Sequence, residues 1–260
     1  MSKHAIPSVI TEKVGDSAVQ FVLKPVAYEF NGEALEGLLI YSQHITEPRP
    51  GLVVLPNWLG INEDSARKAI RVAGNRYVVF LADMYGKDVR PENADEAQVV
   101  SSKLRSDRPE MRGRALAAVS ALRAQADAAA IDLNNLGAVG FCFGGSCALE
   151  LARAGADLQG FVSFHGSLDT PHPIDAHNIK APVLVLHGAE DPIVTKEQVD
   201  GFIAEMRLAR VDWQLFIYGG AVHSFTSLKA NVPGVGEYHP VAAARAFKAM
   251  NDFFDEAFAD

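Results

Sequence analysis

Leu136-Gly137-Ala138-Val139-Gly140-Phe141-Cys142-Phe143-Gly144-Gly145-Ser146-Cys147-Ala148-Leu149 is the stretch on which the fold turns. An apolar strand ends at Cys142, with Gly140 two residues before it and Gly144 two after. A helix-compatible run starts near Gly145. Turning from strand to helix at one residue forces that residue into a sparsely populated backbone conformation, so its neighbours must lack bulk. The turn aims the side chain out of the sheet above a helix start, whose dipole and free N–H groups favour a thiolate and a developing oxyanion. This is a nucleophile elbow with sulfur in place of the usual hydroxyl. Standing alone, Gly-x-Cys-x-Gly fits a tight turn beside a buried structural cysteine about as well.

Outward from the elbow, short β-rich runs alternate with helical stretches, the mark of a mostly parallel sheet flanked by helices. Val26–Phe30 and Leu38–Tyr41 read as an antiparallel hairpin across Asn31-Gly32. Gly51–Pro56, Tyr77–Ala82, Leu136–Phe141, Gly160–Phe164, Pro182–Leu186 and Trp213–Tyr218 read as further strands. Helices are expected at about 63–74, 91–105, 110–127, 145–154, 195–208 and 239–258. No repeat, low-complexity segment or linker is visible, so one domain is expected over 1–260, with the first ~25 residues an extension or the lead-in to an edge hairpin. Loops 166–180 and 219–238 are long enough to line a site.

Sites in open parallel sheets form outside the carboxyl ends of the strands. That rule selects Asn57 and Trp58, Asp83 to Lys87, Cys142, His165, His187 to Asp191, and His223. After Val183–Leu186 comes His187-Gly188-Ala189-Glu190-Asp191-Pro192, where an acid can orient an imidazole and stabilise its cation. Asp191 is preferred because Pro192 favours an extended backbone before it; Glu190 is the alternative. After Trp213–Tyr218, Gly219-Gly220-Ala221-Val222-His223-Ser224-Phe225 sets a histidine on a glycine-rich loop. Nucleophile, acid and histidine, each just beyond a strand, is the chain order of the α/β hydrolases. Cys142, Asp191 and His223 are therefore the expected catalytic triad. His165 competes for the base but has no following acid to match the order, and reads as pocket-lining or structural. His187 precedes the acid and is expected to hydrogen-bond locally. Ser146 falls inside the helix, past the strand end, and is rejected as nucleophile.

Composition narrows the classes. The 260 residues are 48% hydrophobic and 22% charged, with a net charge of −8. That is ordinary for a globular domain, and without a basic stripe it gives nucleic-acid binding no electrostatic support. No run approaches a membrane span. Met1 to Ile10 lacks an apolar core of signal-peptide type, so a cytoplasmic location is expected. Cys142 and Cys147 form neither a disulfide framework nor a metal spacing.

With these residues assembled, the chain resembles the dienelactone hydrolase family, the carboxymethylenebutenolidase-like α/β hydrolases, from about Tyr28 to Phe254. The carriers are Gly-Phe-Cys-Phe-Gly-Gly at 140–145, His-Gly-Ala-Glu-Asp-Pro at 187–192 and Gly-Ala-Val-His-Ser-Phe at 220–225. Asn57-Trp58-Leu59-Gly60-Ile61-Asn62 and Ala82-Asp83-Met84-Tyr85-Gly86 support them. The resemblance implies an α/β-hydrolase fold, a mostly parallel central sheet with helices on both faces. It also implies acyl transfer through Cys142 on a small ester or lactone, with no cofactor or metal. The oxyanion would be held by the backbone N–H of Phe143 and of Trp58. Asn57, Tyr85, Lys87, His165, Phe225 and Ser227 are the implied substrate-binding positions. The expected partner is a small-molecule substrate, with no nucleic acid or membrane, and the protein a monomer or small homo-oligomer.

Three positions depart from the family pattern. Asn57 stands where family members carry a glutamate that interacts with the resting thiol, and asparagine cannot accept a proton. Cys142 is therefore expected to pair with His223 at rest, partly as an ion pair. Lys87 and Ser227 stand where the prototype has two arginines for a substrate carboxylate, so a less polar ester is an open alternative; Arg90 or Lys229 could compensate. A broad carboxylesterase or thioesterase, or a non-catalytic binding protein on this fold, are the competing functions.

Overall fold

A computed structural model describes residues 6–43 and 46–259. The chain falls into two compact units, Met1–Gly137 and Ala138–Asp260. In chain order the elements are β1 (Val9–Val14), β2 (Ser17–Phe30), β3 (Glu33–Ser42), β4 (Arg49–Leu55), α1 (Glu63–Ala73), β5 (Val78–Leu81), α2 (Ala94–Ser106), α3 (Arg108–Arg123), α4 (Ala126–Ala129) and β6 (Ile131–Phe141). They continue with α5 (Phe143–Arg153), β7 (Gly160–Phe164), a 3-10 turn (Pro173–Asn178), β8 (Val183–Gly188), α6 (Lys196–Ala209), β9 (Trp213–Tyr218), β10 (Asn231–Val232), β11 (Gly236–Glu237) and α7 (Pro240–Ala257). Among the described residues no helix is long and apolar enough to cross a membrane.

In the first unit the strand order is β1-β2-β3-β5-β4. The β2/β3 pair is the expected hairpin, closing at Phe30 opposite Glu33, but it is longer than the sequence indicated, and β1 adds a further antiparallel strand outside it. Both extensions carry charges and half-exposed positions, which hide the alternation that marks a strand. From β5 to β4 the pairing becomes parallel. Here Leu52–Leu55 and Val78–Leu81 are continuous buried runs, because a parallel strand is covered on both faces. Helix α1 begins in a reciprocal cap: Asn62 Oδ1 accepts from Ser65 N–H and Ser65 Oγ from Asn62 N–H, both at 2.9 Å.

In the second unit, which takes in β6 from Ala138 onward, the order is β6-β7-β8-β9, with β7/β8 and β8/β9 parallel. Phe141 stacks on Phe164 at a centroid separation of 4.7 Å, and Phe247 of α7 packs tilted against Phe164 at 5.1 Å. Helix α5 is buried along its whole length. At its far end the Arg153 guanidinium bonds Glu205 through Nε (2.7 Å) and Nη2 (2.8 Å), Glu150 through Nη1 (3.0 Å), and the Leu168 carbonyl (3.1 Å). A buried charge is tolerable when it is paired and hydrogen-bonded in this way. The effect is to lock the helix behind Cys142 to α6 and to the segment after β7.

Candidate active site

Cys142 ends β6 and opens α5 with φ 54° and ψ −117°, a conformation that L-residues rarely adopt. Its N–H donates to the Phe164 carbonyl at 3.0 Å, and its own carbonyl accepts from Gly145 N–H at 2.9 Å. The turn is tight because the chain closes on itself: a Cβ on Gly140 would stand 1.9 Å from the Gly144 carbonyl oxygen. One on Gly145 would stand 2.6 Å from Ser163 Oγ. No side chain caps α5 at its N-terminus, the end of the helix whose dipole favours negative charge. The elbow has the expected form, and the helix starts directly at Phe143 rather than near Gly145.

Cys142 is half-buried, and Nε2 of His223 lies 3.1 Å from its sulfur. On the other side of the ring, His223 Nδ1 lies 2.8 Å from Asp191 Oδ2. The remaining oxygen of Asp191 accepts from Ile193 N–H (2.8 Å) and Val194 N–H (3.0 Å), so the turn after β8 fixes the carboxylate. Burial opposes a charged His223, but hydrogen bonds to Asp191 and Cys142 outweigh it and push the ring's pKa up to about 10. Burial likewise opposes the Asp191 carboxylate. The hydrogen bond and charge of His223, with the two backbone donors, still hold it below its ordinary value. A cationic imidazole between a sulfur and a carboxylate favours a thiolate. Three side chains from the ends of β6, β8 and β9 thus form one continuous relay.

The other anticipated residues divide. Phe143 is the first residue of α5 and buried. Glu190 is exposed and leaves the acid position to Asp191, and Ser146 is buried with its hydroxyl on the Ser167 carbonyl at 3.2 Å. His165, read as pocket-lining or structural, is only 1% exposed, with Nε2 at 2.8 Å from Thr226 Oγ1. Phe225 is also buried, against the rings of His165 (5.3 Å) and Tyr218 (5.5 Å), and Ser227 is buried too, so neither presents the open surface expected of a substrate contact. For His187, expected to hydrogen-bond locally, Nδ1 is buried with no partner among the described residues; burial chiefly lowers its pKa.

Asn57, Trp58 and Tyr85 form their own cluster in the first unit. Asn57 Oδ1 accepts from Leu59 N–H at 3.1 Å, and Tyr85 Oη donates to the Trp58 carbonyl at 2.9 Å. Both hold the peptide between residues 58 and 59. Lys87 instead approaches Glu36 at 3.8 Å on the surface. Arg90 serves structure: it bonds Asp83 Oδ2 (3.1 Å) and the carbonyls of Gly86 (2.6 Å) and Glu36 (3.3 Å). Sequence reading placed Asp83 among the strand-end candidates without a specific role, and it also accepts from Tyr85, Gly86 and Glu36 N–H groups; Thr226, which bonds His165, was not singled out. An acid directly after a buried strand and before Tyr-Gly was the available signal for the first. The second had none.

The family model for the dienelactone hydrolase family matches residues 35–258. The chain belongs to the dienelactone hydrolase family. It is an α/β hydrolase with a mostly parallel sheet, of a family acting on esters and lactones. Among solved structures it is similar to one named m3DLH, at 38% identity and TM-score 0.85, over 91% of this chain and 98% of that one. It is also similar to P91, a dienelactone hydrolase-like promiscuous phosphotriesterase from metagenomic libraries. That match has 37% identity and TM-score 0.83, over the same shares of the two chains. A relative from Bradyrhizobium sp, described as a "probable 2-oxo-3-(5-oxofuran-2-ylidene)propanoate lactonase", is 29% identical over 78% of this chain and 82% of its own.

Proposed function

We propose that the protein is a cysteine-dependent hydrolase of small esters or lactones. The observation that carries this reading is the relay itself: Cys142 Sγ at 3.1 Å from His223 Nε2, and His223 Nδ1 at 2.8 Å from Asp191, on a strained elbow. Cys142 as thiolate attacks the carbonyl carbon, and the C=O electron pair moves to oxygen. The Phe143 N–H stabilises that oxyanion, and the family resemblance implies the Trp58 N–H as a second donor. Collapse re-forms C=O and breaks the C–O bond to the alcohol or enol, which takes its proton from His223. Water then attacks the thioester while His223 removes its proton, and the carboxylic acid and the thiolate are released. No cofactor or metal takes part in this scheme.

The rest state follows from Asn57. Its oxygen is occupied by Leu59 N–H, and a carboxamide cannot take a proton, so His223 is the base we assign to the thiol. We read 1–260 as a single α/β-hydrolase domain because the family match runs through both compact units. We also take the protein to be cytoplasmic, a monomer or small homo-oligomer acting on a small molecule. Lys87 stands beside Glu36 and Arg90 is engaged by Asp83 and carbonyls, so neither is set aside for a substrate carboxylate, which favours an uncharged ester over an anionic lactone. Cys142→Ala is the deciding variant. Loss of p-nitrophenyl acetate hydrolysis, with an acyl adduct on the wild type but not the variant by mass spectrometry, is expected. Unchanged turnover removes Cys142 as nucleophile.

The 37% identity to P91 over 91% of the chain supports a second activity at the same relay, hydrolysis of phosphotriesters. A p-nitrophenyl dialkyl phosphate tests it. Release of nitrophenol that vanishes with Cys142→Ala is the expected result.

A further inference from the structure

His223 stands on a turn whose main chain is tied to the segment that follows it. Its carbonyl accepts from Glu237 N–H (3.2 Å), the Phe225 carbonyl accepts from His239 N–H (3.0 Å), and Ser227 N–H donates to the Ser224 carbonyl (2.8 Å). The side-chain tie runs elsewhere. Thr226 Oγ1 lies 2.8 Å from Nε2 of His165, 61 positions away in sequence.

His165 ends β7, where its N–H donates to the Leu186 carbonyl at 2.8 Å and its backbone takes φ 40°. That left-handed value is uncommon outside glycine and persists only where surrounding structure holds it. The His165 ring meets the His223 ring edge-on, at 5.4 Å between centroids and 67° between planes. It meets Phe225 at 5.3 Å and 77°. Burying an imidazole and a hydroxyl costs free energy unless they bond each other, and an apolar pair of the same shape would pack as well. What the polar pair adds is direction: one bond of fixed length between a strand end and the turn carrying the base.

We infer that His165 and Thr226 are positioning residues for His223. Their hydrogen bond holds the 223–227 turn against the end of β7. The His165 ring sets the plane of the imidazole, so that Nε2 meets Cys142 while Nδ1 keeps Asp191. The inference rests on the reading of Cys142, Asp191 and His223 proposed above, and it reassigns His165 from substrate contact to support.

Thr226→Val removes the bond and keeps the shape; Thr226→Ser keeps the hydroxyl. The readouts are kcat and KM for p-nitrophenyl acetate, and the pH midpoint of thiolate absorbance in the resting enzyme. Thr226→Val is expected to lower kcat by about 10-fold with KM within about 2-fold. The thiolate midpoint is expected to rise by about one unit as the imidazole drifts from the sulfur. Thr226→Ser recovers most of both. His165→Phe, which retains a ring beside His223 and drops the bond, gives the same two changes and serves if the valine variant does not fold. A wild-type midpoint in Thr226→Val or His165→Phe overturns the inference, whether or not kcat falls, because a merely structural role moves melting temperature and leaves the ion pair alone. Turnover surviving in Cys142→Ala overturns the underlying reading instead, so the two failures are distinguishable.

Discussion

Cys142 is held at φ 54°, which costs about 1–3 kcal/mol of backbone strain. The return is a sulfur facing an imidazole whose far nitrogen is already occupied by Asp191. The carboxylate orients the ring and supports its charge, so Asp191→Asn is expected to cut kcat by about 10³-fold with little change in KM, as steady-state kinetics will show. The raised pKa of His223 has a sign that can be tested. A free histidine loses its proton near ~6.5, whereas this ring keeps it until about 10. Between those values the folded state holds the extra proton. The stabilisation from His223 is therefore complete below about 6.5 and lost as pH climbs through about 10. The gap in melting temperature between wild type and His223→Gln should shrink on going from pH 7 to pH 10. For Asp191 the sign is opposite: its lowered pKa stabilises the fold above about 3.9, and acid removes that contribution.

At the level of elements, the elbow depends on a close approach that only glycine permits. Gly140→Ala places a methyl group 1.9 Å from the Gly144 carbonyl oxygen, so β6 and α5 must separate. Destabilisation of ~3 kcal/mol or more and loss of esterase activity are expected, measured by urea unfolding and p-nitrophenyl acetate turnover. Two other strands of the second unit were the most legible elements. Gly160–Phe164 and Trp213–Tyr218 have in the structure the bounds that apolar runs and flanking turn residues indicated. Val9–Val14 was missed because Glu12 and Lys13 interrupt the alternation, although Glu12 pairs with Arg67 of α1. Asn231–Val232 and Gly236–Glu237 are too short to show any period. The relay was legible because each of its members follows a strand. The support beneath it was not: Thr226 finds His165 across a long loop, and no local pattern encodes such a partner.

For the molecule as a whole, the net charge of −8 acts on every ligand that approaches. An anionic ester meets a repulsive field that a neutral one does not feel, and mobile ions damp that field over a Debye length of about 8 Å at physiological salt. Added salt should therefore raise kcat/KM for a carboxylate-bearing ester relative to its uncharged methyl ester. A ratio that falls with salt would show a local cationic site strong enough to override the global charge. Family membership fixed the reaction class from a few short motifs, because nucleophile, acid and base must recur in one order. Substrate preference was not legible in the same way, because a single side chain can change what a site accepts without altering the fold.

The two cysteines differ sharply in surroundings, one half-buried beside a cation and the other sealed inside α5. A disulfide reagent such as dithionitrobenzoate should therefore count one thiol in the native protein and two after denaturation. The same asymmetry makes Cys142 the first casualty of peroxide. Mild exposure should yield a sulfenic acid and a dormant enzyme that dithiothreitol revives, so preparations kept without reductant will understate the true turnover.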